Sequence, residues 1–342
     1  MPVFGSKPRG TLTATAIIAE IIAAIFSLTA CGDTTQAASA RDANGDQVIT
    51  VAANTGTETP VRLTVPMVPS IRAEVPQAIR DSGKLAVGIG ALPDGFPPLA
   101  YVGTDQKTLT GAEPDLGRLV AAVFGLNPDV RNASWQNLFV RLQSGQFNVG
   151  FSNITDTEQR KQQGFDFASY RKDNLGFEVD KSSTWNFDGD YESLAGKTVA
   201  VDSGTNQEKI LLEWQAKLQA EGKTLQVRNF ADKNSTYLAL SAGRIDAYFA
   251  NNPSIAYHIT QTAKTPNPTR SAGEYSGAGA SLQGLIAATT KKGDGLVQAL
   301  ADAINYLIQS GQYAKWLAAY NLSGEAVATS QVNPPGLPLS NS

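Results

Sequence analysis

The stretch "LFVRLQSGQFNVGF", residues 138–151, decides the fold class, because it passes from one kind of regular structure into another. Its first part is apolar at helical spacing, a Ser-Gly pair follows as a turn, and its last part is a short apolar run typical of a buried strand. The stretch "YLALSAGRIDAYFA", residues 237–250, has the same pattern. Helices and strands that alternate in this way predict an α/β protein.

The alternation extends outward from both stretches and is interrupted once, which predicts two α/β lobes. The flanking elements are predicted strands and helices with short turns between them. In chain order they are "GKLAVGIG" (83–90), "DLGRLVAAVFGL" (115–126), "KTVAVDSGT" (197–205), "LQVRNF" (225–230) and "SLQGLIAATT" (281–290), the last followed by an amphipathic helix.

The composition excludes several classes of function. The chain has 342 residues, of which 42% are hydrophobic and 17% charged, as in an ordinary globular protein. Its 28 Lys and Arg are outnumbered by 31 Asp and Glu, so no nucleic-acid partner is expected. One cysteine and one histidine leave little material for a zinc site or a Cys/His catalytic pair. We therefore predict neither a metal nor a cofactor.

The N-terminal residues have the pattern of an export signal. Lys7 and Arg9 precede an apolar stretch at 16–28, and "LTAC" (28–31) closes it with small residues. Glu20 inside that stretch argues against a membrane-spanning anchor, since an acidic side chain is costly at the bilayer centre. "LTAC" looks like a bacterial lipobox, so residues 1–30 are predicted to be a lipoprotein signal peptide and Cys31 the lipidated residue.

The segment that follows is predicted to be a flexible tether, residues 31–72. Up to about residue 59 it is rich in Thr, Ala, Asp, Asn and Gly and has little apolar periodicity, apart from the short run "VITVAA" (48–53). A tether after a lipidated cysteine would hold a globular part just off a membrane. The expected location is the outer face of the cell membrane or the periplasm.

The order of motifs resembles the class II periplasmic binding proteins that deliver polar amino acids to ABC transporters. The resemblance covers about residues 79–320 and implies two lobes joined by two crossover strands, with the ligand held in the cleft between them. Lobe 1 would comprise residues 73–176 and 282–342, and lobe 2 residues 177–281. The phrases that carry the resemblance are "SGKLAVGIG", "FPPLAYV", "GAEPDLGRLVAAVFG", "SWQNLFVRLQSGQFNVGFSNITDTEQR", "FDFASY", "LAGKTVAVDSGTNQE", "GRIDAYFANNPSIAY" and "KKGDGLVQALADAINYLIQSGQYAKW".

An anchor for the ligand's carboxylate is implied by "SNITDTEQR" (152–160). By resemblance, Arg160 holds the carboxylate, Thr155 donates to it, and the backbone carbonyl of Asn153 faces the ammonium. Arginine suits this task because its planar guanidinium offers five N–H donors in a fixed fork. Relatives usually have four residues between this arginine and the following "DF" pair, whereas five stand here, so Lys161 is the alternative anchor.

Aromatic walls and a second set of polar residues are also implied by the resemblance. Phe96 and Trp135 match the aromatic side chains that enclose the ligand. Thr205 and Asn206 start a helix whose backbone N–H groups can face an anion.

Asn251 stands where relatives have an aspartate that pairs with the ligand's ammonium. An amide cannot neutralise that charge, so another carboxylate must help or the ligand lacks an ammonium. Asp202 is the predicted helper, because it stands three residues before Thr205 in the same turn.

The sequence thus predicts an exported, lipid-anchored receptor that captures a polar amino acid or a close analogue for an ABC permease and catalyses no reaction. Two alternatives remain: a dehydratase of small carboxylic acids on the same fold, with Glu113 or Asp202 as its acid or base, and a sensory lipoprotein with another partner. A serine hydrolase is disfavoured. It would need His258, and the chain has no nucleophile elbow.

Overall fold

The computed structural model describes residues 40–340. The predicted signal peptide, Cys31 and the beginning of the predicted tether lie outside the described residues. Within residues 40–340, no helix combines the length and the apolar character that a membrane span requires.

The strands are short and often buried along their whole length, as expected where helices cover both faces of a sheet. In chain order they are β1 (Ala40–Arg41), β2 (Gln47–Val51), β3 (Val61–Val65), β4 (Lys84–Leu92), β5 (Tyr101–Val102), β6 (Leu109–Thr110), β7 (Asn127–Ser134), β8 (Val149–Gly150), β9 (Phe165–Lys172), β10 (Asn174–Asp180), β11 (Thr198–Ala200), β12 (Gln226–Arg228), β13 (Ala247–Asn251), β14 (Thr269–Ser276) and β15 (Leu285–Lys291).

The helices alternate with these strands as the sequence predicts, and several begin at a side chain that caps the first turn. They are α1 (Pro69–Glu74), α2 (Gln77–Ser82), α3 (Ala112–Val123), α4 (Trp135–Gln143), α5 (Glu158–Gln162), α6 (Asn206–Ala220), α7 (Lys233–Ser241), α8 (Asn252–Thr262), α9 (Val297–Gln309) and α10 (Gln312–Ala319), with 3₁₀ turns at Tyr191–Leu194 and Ser323–Glu325.

Two five-stranded sheets define two lobes, which confirms the predicted architecture. Lobe 1 has the strand order β7-β4-β8-β15-β9, and lobe 2 the order β12-β11-β13-β10-β14. The chain leaves lobe 1 at Asp173, which alone separates β9 from β10, and returns through residues 277–284, between β14 and β15. The first change of sheet thus comes at residue 173, slightly before the predicted boundary at 176.

The N-terminal part of the described chain corrects the tether prediction. Strands β1, β2 and β3 form an antiparallel sheet, and alternate side chains of β2 and β3 are buried in the lobe 1 core. Several hydrogen bonds fix this sheet to lobe 1: Ala52 N, directly after β2, donates to Asp115 Oδ2 (2.8 Å), Gln47 Nε2 donates to Leu126 O (3.0 Å), and Gln312 Nε2 donates to Thr64 O (2.6 Å). Helices α1 and α2 follow directly, so residues 40–72 are folded and do not form a flexible linker.

A pair of substitutions on β2 tests this correction. Ile49 is 4% exposed, whereas its neighbour Thr50 is exposed. Ile49→Val should lower the free energy of unfolding by about 0.5–1.5 kcal/mol, because it removes a buried methylene. Thr50→Ser should change it by less than about 0.5 kcal/mol. Urea denaturation measures both free energies. Equal stability of the two variants would contradict the packing of this segment in the core and support the tether prediction.

The C-terminal tail connects both lobes on the hinge side. It runs along the edge of β9, where Ala168 pairs with Val332. Farther on, Leu337 pairs with Thr157 and packs, fully buried, against the hydrophobic cluster of lobe 2. Lys209 Nζ on α6 then donates to Pro338 O (2.8 Å). The tail, predicted to belong to lobe 1 alone, therefore holds lobe 2 as well.

Candidate functional site

A cleft of about 240 Å³ lies between the two lobes, and its walls come from both of them. Most of the residues predicted for the site line this cleft, whereas Thr155 and Arg160 are buried and do not line it. The predicted residues found in the lining are Phe96, Trp135, Asn153, Asp202, Thr205, Asn206 and Asn251.

Two hydrogen bonds join the lobes directly across the cleft. Trp135 Nε1 on lobe 1 donates to Gly204 O on lobe 2 (3.0 Å). Lys233 N on lobe 2 donates to Asp94 Oδ2 on lobe 1 (3.2 Å). Trp135 is the first residue of α4, immediately after the cap Ser134. Its indole packs edge-on against Phe139, with ring centroids 5.0 Å apart. The structure therefore has the lobes in a closed arrangement.

Arg160 lies immediately behind the aromatic wall. Thr157 caps α5, because its hydroxyl accepts from the backbone N–H of Arg160 (3.1 Å). The side chain of Arg160 is buried. Its Nη1 donates to Thr155 O (2.8 Å), and its guanidinium carbon is 5.4 Å from the ring centre of Trp135 and 5.2 Å from that of Phe139. Burial lowers the pKa of Arg160 to about 10, so the side chain is charged at neutral pH. At 8% exposure it is a buried cation that does not itself line the cleft, although the resemblance implies that it holds the ligand's carboxylate.

Lys161 points away from the cleft. Its ammonium is 3.1 Å from Asp156 Oδ1 and 2.8 Å from Glu158 Oε1, and it also donates to Pro334 O in the C-terminal tail. Burial raises the pKa of Asp156 to about 7, although the ammonium of Lys161 opposes that shift. Of the two alternative anchors, the geometry favours Arg160, because Lys161 is engaged by the tail.

Asn153 and Thr155 have partners within the protein. Asn153 adopts a left-handed backbone conformation (φ 51°), and its Oδ1 accepts from Arg171 Nη2 (2.5 Å). The hydroxyl of Thr155 donates to Asp173 Oδ2 (2.7 Å). Thr155 was predicted to donate a hydrogen bond to the ligand's carboxylate, but in this structure its hydroxyl donates to the carboxylate of Asp173.

The N-terminus of α6 faces the cleft from lobe 2. Thr205 caps this helix, since its Oγ1 accepts from Glu208 N (3.2 Å). The N–H groups of a first helical turn have no intrahelical acceptor and carry a partial positive charge, so this end of the cleft suits an anion. The side chain of Asn206 turns inward, where its Nδ2 lies 3.4 Å from Asp173 Oδ2 and 3.2 Å from Gly277 O.

Lys233 is a cleft residue that the sequence analysis missed. Its ammonium donates to Asp202 Oδ2 (2.8 Å) and to the hydroxyl of Tyr248 (2.8 Å). Burial alone would lower the pKa of Lys233, but the adjacent Asp202 carboxylate outweighs it, and the pKa is raised. Asp202 was predicted to assist a ligand's ammonium, yet its charge is already neutralised by Lys233. The sequence signal that could have identified Lys233 is "DKNS" (232–235), a helix start with Asp232 as the cap. Lys233 is the first residue of α7 and lines the cleft.

Asn251 is the N-cap of α8, and its Oδ1 accepts from Ser254 N (2.9 Å). The amide oxygen that was assigned to the ammonium thus has a structural use. Glu113, considered as a catalytic base, is fully buried and bonded to Arg171, and it does not line the cleft. His258 is partly buried, with its Nδ1 2.5 Å from Glu178 Oε1. The geometry gives neither residue access to a ligand in the cleft.

Known proteins resemble this chain over much of its length. The arginine-binding protein ArgT of Corynebacterium glutamicum is 31% identical over 192 residues, which cover 56% of this chain and 61% of ArgT, less than two thirds of that protein. The L-cystine-binding protein TcyJ of Escherichia coli K12 is 27% identical over 246 residues, covering 70% of this chain and 85% of TcyJ.

A solved structure shares the fold. It is that of AbpA, an amino acid ABC transporter substrate-binding protein of Streptococcus pneumoniae bound to L-arginine, with a TM-score of 0.58 at 24% identity over 72% of this chain and 99% of that one. The sequence profile of the bacterial extracellular solute-binding proteins, family 3, matches residues 89–323. This match covers well over half of the sequence and includes both lobes and both crossings. The chain therefore belongs to the bacterial extracellular solute-binding proteins of family 3.

Proposed function

We propose that this protein is a lipid-anchored receptor that captures an amino acid or a close analogue and delivers it to an ABC permease without catalysing a reaction. The observation that carries the proposal is the closed cleft, which the Trp135 indole and the N-terminus of α6 line, with the Arg160 guanidinium buried against that indole. An aromatic wall beside fixed positive charge suits a small ligand with an apolar stem and a carboxylate. The names of the relatives, which bind arginine or cystine, support the same ligand class.

Transport follows from closure of the lobes around the ligand. A ligand shifts the balance between open and closed forms only by its difference in affinity for the two. Because the walls come from different lobes, a ligand touches both only when the cleft is closed. A permease that recognises the closed form would then receive loaded protein. Glu113 is buried and Asp202 is paired with Lys233, which argues against an acid or base for a dehydratase.

A thermal-shift screen tests the ligand class. The full chain, purified in detergent, would be heated with each common amino acid and with the matching hydroxy acids. A ligand at one hundred times its Kd adds about 2.7 kcal/mol to the free energy of unfolding, which raises Tm measurably. No shift with any amino acid would refute the proposal. Loss of uptake of the identified ligand on deleting the permease would separate transport from a sensory role.

The lipid anchor is tested by Cys31→Ala. We expect the wild-type protein to fractionate with membranes and to incorporate labelled fatty acid, because "LTAC" offers a thiol at the predicted cleavage site. The variant should remain an unprocessed precursor without label. Equal labelling of both proteins would exclude Cys31 as the modified residue.

A further inference from the structure

Asp173 holds a central position in the hinge. It is 1% exposed and forms the whole first crossing between the lobes. Its backbone is bonded to the second crossing on both sides, because Asp173 N donates to Gly284 O (2.8 Å) and Gly277 N donates to Asp173 O (2.9 Å). A charged side chain is therefore fixed where the two lobes join.

Hydrogen-bond donors from both lobes surround the Asp173 carboxylate. Thr155 Oγ1 of lobe 1 donates to its Oδ2 (2.7 Å), and Asn206 Nδ2 of lobe 2 lies 3.4 Å from the same oxygen. Burial raises the pKa of Asp173, whereas the Thr155 hydroxyl and the charges of Arg171 and Arg160 favour its ionised form.

Thr155 and Asn206 lie in the region that the family resemblance assigns to the ligand's carboxylate. Thr155, Arg160 and the first turn of α6 would serve an α-carboxylate, yet the Thr155 hydroxyl and the Asn206 side chain of that turn already approach the carboxylate of Asp173. Two carboxylates near one set of donors repel each other. A ligand that brings an ionised carboxylate to this end must therefore bind in the presence of a like charge.

The Asp173 side chain has little room to withdraw. A Cβ atom added to Gly277 would lie 1.8 Å from Asp173 Oδ2, so the absence of a side chain at Gly277 is what accommodates the carboxylate. On its other sides it is held by Thr155 and Asn206. The carboxylate is therefore built into the closed hinge.

We propose that Asp173 is a specificity-determining residue, because its carboxylate engages Thr155 and the Asn206 side chain in the region predicted to hold the ligand's carboxylate, and thereby lowers the affinity of the cleft for ligands ionised at that end. The inference rests on the proposed function. It predicts that the charge of Asp173 reduces the preference of the cleft for a free α-carboxylate over the corresponding neutral amide, so that removing this charge increases the preference.

Asp173→Asn tests the inference, because asparagine keeps an acceptor for Thr155 and removes the charge. The probes are the common L-amino acids and their α-amides, with Kd measured by calorimetry on the full chain in detergent. For the best amino acid, the variant should lower Kd at least tenfold, while Kd for its α-amide should stay the same or rise. Asp81→Asn, at an exposed position on α2 outside the cleft, makes the same change in net charge and should alter neither value.

The possible outcomes separate the inference from the proposed function. If the wild-type protein binds an amino acid and Asp173→Asn shifts acid and amide equally, or weakens the acid, the inference is wrong and the proposed function stands. If no amino acid binds to either protein, both fail. Should Asp173→Asn not fold, as judged by its thermal transition, Asp173→Ser offers a smaller acceptor and must show the same selective gain for the acid.

Discussion

Arg171→Met is expected to lower the free energy of unfolding by about 3–5 kcal/mol, because it leaves two buried carboxylates without their cation. Arg171 is 1% exposed, and its guanidinium pairs with Glu113 (2.9 Å) and with Glu325. Glu113 also accepts from the hydroxyl of Tyr170. Taking a charge out of water is costly when no opposite charge compensates for it, so removing one partner costs more than the pair contributes.

The Arg171 pairs join three separate parts of lobe 1. Arg171 lies on β9, Glu113 on the first turn of α3, and Glu325 in the 3₁₀ turn after α10. The same guanidinium also bonds Asn153 in the cleft wall, so the network links the core to the site. Loss of Arg171 should therefore loosen the cleft as well as the fold.

Urea denaturation of Arg171→Met measures the loss, and two comparisons identify its cause. The triple variant Arg171→Met, Glu113→Gln, Glu325→Gln leaves no uncompensated buried charge and should therefore lose less stability than Arg171→Met alone, although two buried amides remain without the arginine. Lys223→Met removes a cation that likewise bridges two carboxylates, Glu192 and Glu221, but at the exposed surface, and should have little effect. A loss for Arg171→Met no larger than for Lys223→Met would show that burial of the network does not matter.

The alternation of helices and strands could be predicted because each stretch shows it locally. In "LFVRLQSGQFNVGF" the helical spacing, the turn and the apolar strand all stand within 14 consecutive residues. The sheet at 40–65 could not be predicted from the sequence, because Thr, Asn, Asp and Gly are as common in turns between short strands as they are in linkers. Bonds to Asp115 and Leu126, far along the chain, decide between the two.

The site shows the same division between local and distant information. The positions of Trp135, Asn153, Thr205 and Asn251 at the ends of strands and starts of helices follow from their motifs, and all four line the cleft. The partners of these side chains do not follow from any motif. Asp173 meets Thr155, Asn206 and Gly277 only because the hinge brings four separate segments together. Likewise, Lys233 meets Asp202 across 31 positions of sequence.

Arg160→Gln is expected to weaken binding of the preferred amino acid by about 2–5 kcal/mol, which is the range for removing one partner of a buried charge pair. The guanidinium donates to Thr155 O and packs on the rings of Trp135 and Phe139, and Thr157 fixes the backbone of Arg160 through the helix cap, so the cation is in place before a ligand arrives. A fixed cation loses little entropy on binding. Glutamine retains a neutral donor, and the change therefore reports the charge.

Lys161→Gln is the matched control for Arg160→Gln, since it removes the neighbouring charge on the same short helix. The ammonium of Lys161 is already taken up by Asp156, Glu158 and Pro334 O under the C-terminal tail, whereas the guanidinium of Arg160 packs on the cleft residue Trp135. Loss of Lys161 should therefore lower stability while Kd stays within about threefold, a change of less than about 0.7 kcal/mol. Calorimetry gives Kd for both variants, and thermal denaturation shows whether each is folded at the temperature of the titration. If Arg160→Gln is folded and binds as tightly as the wild type while Lys161→Gln does not bind, the carboxylate anchor is Lys161, and α5 must turn when the ligand enters.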